Sequence, residues 1–199
     1  MKASRENKID KIRNIAFSLF LDMGYEATSI RSICRGAGIE QPTLYYFFGS
    51  KEGLFFSIIN HLWDQYKEFN AIHCDSTEKT APEERLYGIL RNSIRFAMEN
   101  RRSVSFYYRY SLFPPVDLKE KISGFTDSIQ EESQRNVDHI IRELTGQGII
   151  NKDQREAYSI YYTFVNNQMF NATFSDYNPS ETELKELWDM FFKCRLKGI

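Results

Sequence analysis

The sequence has few of the features that mark membrane, secreted or disulfide-rich proteins. Its apolar runs are only a few residues long, too short to span a bilayer, and residues 1–6 lack the apolar core of a signal peptide. The three cysteines, Cys34, Cys74 and Cys194, are far apart and have no C-x-x-C spacing, which argues against a disulfide framework and against a zinc site. We therefore expect a cytoplasmic protein with reduced thiols and no membrane partner.

Patterns typical of catalysis are also missing. The sequence contains no G-x-S-x-G, H-E-x-x-H or G-x-G-x-x-G pattern and no Walker A loop. The histidines, His61, His73 and His139, are scattered without the spacing of metal ligands. This predicts a protein that is not an enzyme and that needs neither a cofactor nor a metal.

The sequence does contain a helical apolar pattern throughout its 199 residues. Apolar residues recur every three to four positions between Gly and Pro interruptions, and no long strand-type alternation is present. The pattern predicts an all-α protein, with a polar linker at residues 73–81. The helices of the second half are expected near residues 82–100, 102–112, 117–145, 153–175 and 180–197.

Residues 8–54 have the spacing of a helix-turn-helix. An amphipathic helix of roughly 16 residues is followed by two short helices joined through Gly36 or Gly38, which allow the chain to reverse. Thr28 is placed to cap the first short helix, and Pro42 fits the opening turn of the second. The second short helix would bury Leu44 and expose polar groups at its start.

Three segments of this region follow the pattern of a known family. Residues 24–33 read GYEATSIRSI, residues 37–39 read AGI and residues 43–54 read TLYYFFGSKEGL. In this order they resemble the DNA-binding domain of the tetracycline-repressor (TetR) family. Glu40, Gln41 and Pro42 stand where many family members have Ser-Lys-Gly, a difference that bears on which operator is bound. For residues 75–199 the resemblance implies only a helical domain of variable sequence that binds a ligand and dimerises.

DNA binding is also supported by where the charges lie. Residues 1–56 contain eight Lys or Arg and six Asp or Glu, so the net charge is small and affinity must come from placement. We expect a flexible basic N-terminus with Lys2, Arg5 and Lys8 to approach phosphates, and Gln41 to read an adenine. The predicted DNA-binding residues are Thr28, Ser29, Arg31, Gln41, Pro42, Thr43, Tyr45, Tyr46 and Lys51.

The second half is rich in aromatic residues, which suit either an apolar pocket between helices or a closed core. Residues 102–113 carry aromatics around the whole helix, so that helix must be covered on several sides. The predicted pocket residues are Phe96, Phe106, Tyr107, Tyr110, Phe113, Phe125, Tyr161, Phe164, Asn167 and Phe170. Polar groups such as Asn167, Gln168, His139 or Arg109 would orient the ligand.

The last two predicted helices are apolar on more than one face, which indicates two packing partners. One partner would be the core of the same chain and the other a symmetry mate, in a two-fold four-helix interface. The predicted interface residues are Tyr158, Tyr162, Val165, Met169, Leu184, Leu187, Trp188 and Phe191.

Together these observations predict a ligand-responsive regulator of transcription. A DNA-binding domain at residues 1–54, with a connecting helix at about 51–71, would precede an effector-binding and dimerisation domain at residues 75–199. A repressor of this kind would bind a palindromic operator as a homodimer and release it when a small hydrophobic or aromatic effector binds. The connecting helix would transmit the change. The alternative is a helix-turn-helix DNA-binding dimer without an effector pocket.

Overall fold

The computed structural model describes residues 2–72 and 80–198 and confirms the predicted all-α fold. Its helices are α1 (Lys2–Met23), α2 (Ile30–Ala37), α3 (Gln41–Phe48), α4 (Lys51–Ile72), α5 (Pro82–Glu99), α6 (Arg101–Leu112), α7 (Lys119–Gly146), α8 (Gln154–Phe174) and α9 (Glu181–Phe191). A short 3₁₀ turn precedes α7, and a π-helical segment, Phe192–Lys197, follows α9. Most of the predicted linker at residues 73–81, including His73 and Cys74, lies outside the described residues.

Helix α1 begins earlier than the sequence pattern predicted. It starts at Lys2 and runs for 22 residues, so the expectation that the basic N-terminus is flexible is wrong. Most residues of its first two turns, such as Ala3, Arg5, Glu6 and Lys8, are good helix formers, and no Gly or Pro interrupts them. Arg5 and Lys8 are therefore presented on the surface of a helix, with both side chains exposed.

The first hydrophobic core joins the helix-turn-helix to the second half of the chain. Helices α1 to α4 contribute Ile12, Ala16, Phe20, Ile33, Cys34, Ala37, Leu44, Leu54, Phe55, Ile58 and Ile59. The same cluster includes Phe106 and Tyr110 of α6 and, from the start of the following segment, Leu118 and Ile122. Burial of these four side chains keeps α6 and α7 packed on the helices of the N-terminal region.

The second core lies among α5, α7, α8 and α9. Trp188 is its largest fully buried side chain, and Leu86, Leu90 and Ile141 pack in the same cluster. The ring of Tyr161 meets the Trp188 ring edge-on, with centroids 6.2 Å apart. The apolar stripe of α9 therefore faces the core of its own chain.

This packing corrects the predicted dimer interface. Five of its members are buried inside the single chain, namely Tyr158, Val165, Leu184, Trp188 and Phe191. Tyr162 and Met169 are half-buried on the wall of an internal cavity, and Leu187 alone of the eight is half-buried without lining that cavity. Apolar periodicity indicates that a helix face is buried but does not identify the packing partner. The core of the same chain and a second subunit both bury the same residue types.

None of the helices in the two described ranges has the length and apolar character needed to cross a bilayer.

Replacing Trp188 by alanine tests the assignment of α9 to the core. Trp188→Ala removes a fully buried ring, and we expect the free energy of unfolding to fall by about 3–5 kcal/mol in denaturant titrations. The control Glu186→Ala changes an exposed residue of the same helix and should shift stability by less than about 0.5 kcal/mol. Similar small effects from both substitutions would contradict the packing of α9.

Candidate nucleic-acid interface and internal cavity

Helix α2 is capped by Ser29, not by Thr28 as predicted. The Ser29 hydroxyl accepts from the Ser32 amide at 3.0 Å, and the Ser32 hydroxyl accepts from the Ser29 amide at 3.2 Å. Thr28 is fully buried, and its hydroxyl lies 2.7 Å from the oxygen of Gly24 and 3.1 Å from that of Leu19. Thr28 therefore ties the end of α1 to the following turn and cannot contact DNA.

The turn between α2 and α3 depends on glycine at two positions. Gly38 ends α2 in the left-handed region, with φ of 67°, a conformation that glycine adopts without the strain of a Cβ. Gly36 lies inside α2, where a Cβ would come within 2.8 Å of the Ile15 side chain. Gly38 thus makes the reversal and Gly36 allows α2 to approach α1 closely.

Helix α3 presents the predicted polar start to the solvent. Pro42 occupies the first turn, where its missing amide hydrogen costs nothing, and Leu44 is fully buried. Gln41, Tyr45 and Tyr46 are exposed, with Tyr46 at 73%. One face of α3 is therefore anchored in the first core and the opposite face is available to a partner.

Lys51, one of the predicted DNA-binding residues, forms hydrogen bonds within the protein. Its Nζ donates to the main-chain oxygens of Tyr25 at 2.8 Å and Thr28 at 2.9 Å, and it lies 4.1 Å from the centre of the Tyr25 ring. Burial lowers the pKa of the Lys51 amine, while the charge of Glu26 acts in the opposite direction. The carbonyl oxygens of the turn between α1 and α2 thus engage two of the three donors of the ammonium group, and the DNA contact of Lys51 stays a prediction.

Several basic groups of α1 and α2 remain on the surface. Arg5, Lys8 and Lys11 are exposed on α1, and Arg31 and Arg35 are exposed on α2. The Arg5 guanidinium lies 5.9 Å from the centre of the Tyr46 ring, which brings it beside the exposed face of α3. These side chains can supply the positive charge that a phosphate backbone requires.

A cavity of about 120 Å³ lies between α4, α5, α6, α7 and α8. Six predicted pocket residues lie on its wall, namely Phe96, Phe106, Tyr107, Tyr110, Phe125 and Tyr161. Their role in binding a ligand stays a prediction. The cavity adjoins both hydrophobic cores, since Phe106 and Tyr110 also belong to the core of the helix-turn-helix.

Four predicted pocket residues lie elsewhere. Phe113, directly after the end of α6, is 78% exposed, and Phe170, on α8, is 41% exposed. Phe164 stacks on Phe191 of α9 with ring centroids 3.8 Å apart, and Asn167 is exposed.

The expected orienting groups are also absent from the described wall of the cavity. His139 is exposed, and Gln168 is buried beside Asn167, which accepts from its amide at 3.4 Å. Arg109 instead donates to the main-chain oxygen of Leu21 at the end of α1.

Several residues of the wall were not predicted to line a pocket. Trp63 and Tyr66 come from α4, and Tyr158, Tyr162 and Asn166 come from α8. The apolar stripe that includes Leu62 and Tyr66 could have indicated the α4 contribution. The local sequence does not show whether the α8 tyrosines line a cavity or form a dimer interface, because only tertiary packing decides what covers them.

Burial keeps the cavity tyrosines protonated. Desolvation raises the pKa values of Tyr107, Tyr110 and Tyr158 to about 12 each. Around neutral pH these side chains are uncharged and their hydroxyls can donate hydrogen bonds.

The N-terminal region matches a known family of regulators. Residues 12–58 fit the family model described as bacterial regulatory proteins, tetR family. The HTH-type transcriptional repressor KstR2 of Mycolicibacterium smegmatis is 30% identical over 132 residues, which cover 61% of this chain and 63% of KstR2. That alignment thus spans less than two thirds of the relative's length.

Solved structures share the whole fold. A TetR-like transcriptional regulator from Rhodococcus sp. RHA1 has a TM-score of 0.70 at 21% identity, covering 94% of each chain. AibR in complex with isovaleryl coenzyme A and operator DNA has a TM-score of 0.69 at 20% identity, covering 92% of this chain and 97% of AibR. The similarity extends across both halves of the chain.

Replacing Lys51 by methionine tests its structural role. Lys51→Met keeps the apolar stem but removes both donated hydrogen bonds, and we expect a loss of about 1–3 kcal/mol in the free energy of unfolding. Lys8→Met, at an exposed position of α1, is the matched control and should leave thermal stability almost unchanged. Equal stability of the two variants would show that Lys51 does not hold the turn.

Proposed function

We propose that this chain, whose residues 12–58 match the tetR family of bacterial regulatory proteins, is a repressor that binds a palindromic operator as a homodimer. A small hydrophobic or aromatic effector in the internal cavity releases it from the DNA. The observation that carries the proposal is the packing of one helix, α6, on both the cavity and the helix-turn-helix. Occupation of the cavity can therefore act on the DNA-binding helices.

Helix α3 is the recognition helix in this proposal. Gln41, exposed at its start, has an amide that can form two hydrogen bonds to adenine, and Pro42 and Thr43 offer apolar contact to a thymine methyl group. The hydroxyls of the exposed Tyr45 and Tyr46 can reach phosphates. In this proposal, α3 therefore makes the contacts with the bases.

Helix α2 supplies the neighbouring phosphate contacts. Arg31 is exposed on its first turn, and the amides at this N-terminus complement a negatively charged group. Ser29 is exposed at the same end, although its hydroxyl also caps the helix. These contacts position the protein on the duplex without reading sequence.

The proposed dimer uses the outer side of the last two helices. Phe170 and Phe174 of α8 are 41% and 49% exposed, and Met190 of α9 is 59% exposed. Leu187, the one predicted interface residue that neither lies in the core nor lines the cavity, is half-buried on α9. Two-fold pairing through these helices would present two copies of α3 to successive major grooves, about 34–36 Å apart.

Two helices connect the cavity with the DNA-binding helices. Helix α4 carries Leu54 in the first core and Trp63 on the cavity wall, which supports its predicted role as transmitter. Helix α6 adds a second connection, because the hydroxyl of Tyr110, on the cavity wall, donates to the main-chain oxygen of Phe20 at 2.8 Å. An effector that displaces either helix would change the spacing of the two recognition helices.

The names of similar proteins support two parts of this proposal, namely operator binding and the binding of a small molecule. KstR2 is a transcriptional repressor, and AibR has been solved with both isovaleryl coenzyme A and operator DNA. In that structure a protein of this fold carries a small-molecule ligand and DNA together.

Selection of bound sequences from a random pool of duplex DNA tests DNA binding and identifies the operator in one experiment. We expect enrichment of an inverted repeat, because a two-fold dimer contacts two equivalent half-sites. Retention of DNA without any enriched sequence would contradict operator recognition.

Gln41→Ala tests base reading by α3 on the selected operator. Because Gln41 is exposed and outside the core, folding and nonspecific binding should persist while discrimination falls by about 1–3 kcal/mol at one base pair in each half-site. Affinities for operators varied at every position measure this loss. Gln65→Ala, an exposed glutamine on α4, is the control. A loss spread evenly over all positions would instead show that Gln41 contacts the backbone.

Met190→Glu tests the dimer surface without disturbing the core. The side chain is 59% exposed in the single chain, so the charge should be tolerated by the fold but repelled from an apolar interface. Sedimentation should detect folded monomers with weakened operator binding. Phe113→Glu, at a 78% exposed position after α6, is the control and should remain dimeric. A stable Met190→Glu dimer would place the interface elsewhere.

A further inference from the structure

The internal cavity carries no charged side chain. Its described wall consists of apolar, aromatic, hydroxyl and amide residues, with no Asp, Glu, Lys, Arg or His among them. A charged group brought into such a site would lose its hydration and find no ion partner, which is costly. The cavity therefore discriminates against ionised ligands.

Most polar groups of the wall are already engaged by the protein. The hydroxyl of Tyr161 donates to the Leu86 main-chain oxygen at 2.8 Å, and the hydroxyl of Tyr66 pairs with Ser93 at 2.8 Å. Trp63 donates its indole N–H to Glu132 at 3.0 Å. These groups shape the wall and have little capacity left to hold a ligand.

Tyr107 and Tyr162 differ from the other tyrosines of the wall. Tyr107, Tyr162 and Ser111 all lie on the cavity wall, and the neighbouring Ser111 hydroxyl acts to lower the pKa of Tyr107 while Tyr162 acts to raise it. Together they offer donors and acceptors that can rearrange around a ligand oxygen. Burial raises the pKa of Tyr107 to about 12, so this phenol remains a donor near neutral pH.

The volume of the cavity indicates the size of the group that fits inside it. The cavity holds about 120 Å³, and an apolar cavity of about 150 Å³ is known to accept benzene. A single substituted ring, or an aliphatic group of the same bulk, matches this space.

We infer that the cavity binds a neutral, single-ring-sized compound whose one hydroxyl or carbonyl oxygen is held by Tyr107 and Tyr162. This inference rests on the proposed ligand-responsive function and narrows its effector class. It sets this chain apart from AibR, whose bound isovaleryl coenzyme A carries several phosphates. The described wall of this cavity has no cation to pair with them.

Calorimetric titration of the full chain with four probes tests the inference. Benzyl alcohol is neutral and has one hydroxyl, toluene lacks the oxygen, benzoate is ionised, and isovaleryl coenzyme A is a large anion. We expect benzyl alcohol to bind roughly two- to tenfold more tightly than toluene, which is the contribution of about one hydrogen bond. Benzoate and isovaleryl coenzyme A should not bind measurably.

Two conservative variants locate the contact. Tyr107→Phe and Tyr162→Phe keep the rings but remove the hydroxyls, and each should reduce the preference for benzyl alcohol over toluene while leaving toluene affinity unchanged. Tyr108→Phe is the matched control, because Tyr108 is adjacent on α6 but lies outside the cavity wall and donates to the Asn166 main-chain oxygen at 3.0 Å. An undiminished preference in both cavity variants would overturn the assignment to these tyrosines.

Operator release separates failure of this inference from failure of the proposed function. Release by benzoate or isovaleryl coenzyme A, with neutral probes inactive, would overturn the neutral ligand class but keep a ligand-responsive repressor. If the protein binds its selected operator and none of the four probes binds, the neutral single-ring class is likewise overturned. Benzyl alcohol that binds through Tyr107 and Tyr162 without releasing DNA would support the ligand class and count against effector-driven release.

Discussion

The hydrogen bond from Tyr110 to the main-chain oxygen of Phe20 joins the two halves of this protein. Tyr110 is buried, lines the cavity and packs in the same core as the helix-turn-helix. If α6 moved away from the end of α1, this hydrogen bond would break. The movement would be costly because it would leave a buried hydroxyl without a partner. The position of α1, and through it the approach of α2 and α3 to a partner, thus depends on a residue of the cavity wall.

Polar residues near the turn between α1 and α2 serve the fold first. Thr28 and Lys51 both give their donors to main-chain oxygens of that turn. Such oxygens lie at a helix end and lack intrahelical partners, so nearby donors are drawn to them. Hydroxyl and ammonium donors would also suit phosphate binding, and both residues were predicted to bind DNA. Exposed residues such as Gln41 and Arg31 have no comparable structural task within the described part of the chain.

The aromatic content of the second half is divided among three environments. Trp188 and its neighbours fill the core, Tyr107 and Tyr162 border the cavity, and Phe170 and Phe174 remain partly exposed. Aromatic side chains suit all three, since their rings bury large apolar areas while a tyrosine hydroxyl still requires a polar partner. A high aromatic content in this chain therefore indicated a cavity or an interface without showing which residues belong to each.

The sequence by itself determined the all-helical fold, a glycine turn between α2 and α3 at Gly36 or Gly38, and the outward face of α3. These features depend on interactions among residues a few positions apart, namely apolar periodicity, helix capping and the conformational freedom of glycine. Only the tertiary structure decided that Lys51 holds a turn, that Trp188 lies in the core and that Phe113 lies outside the cavity. For Lys51 and Trp188 the deciding contacts come from residues distant in the sequence. Such contacts depend on how whole helices pack, and the same local pattern is compatible with several packing partners.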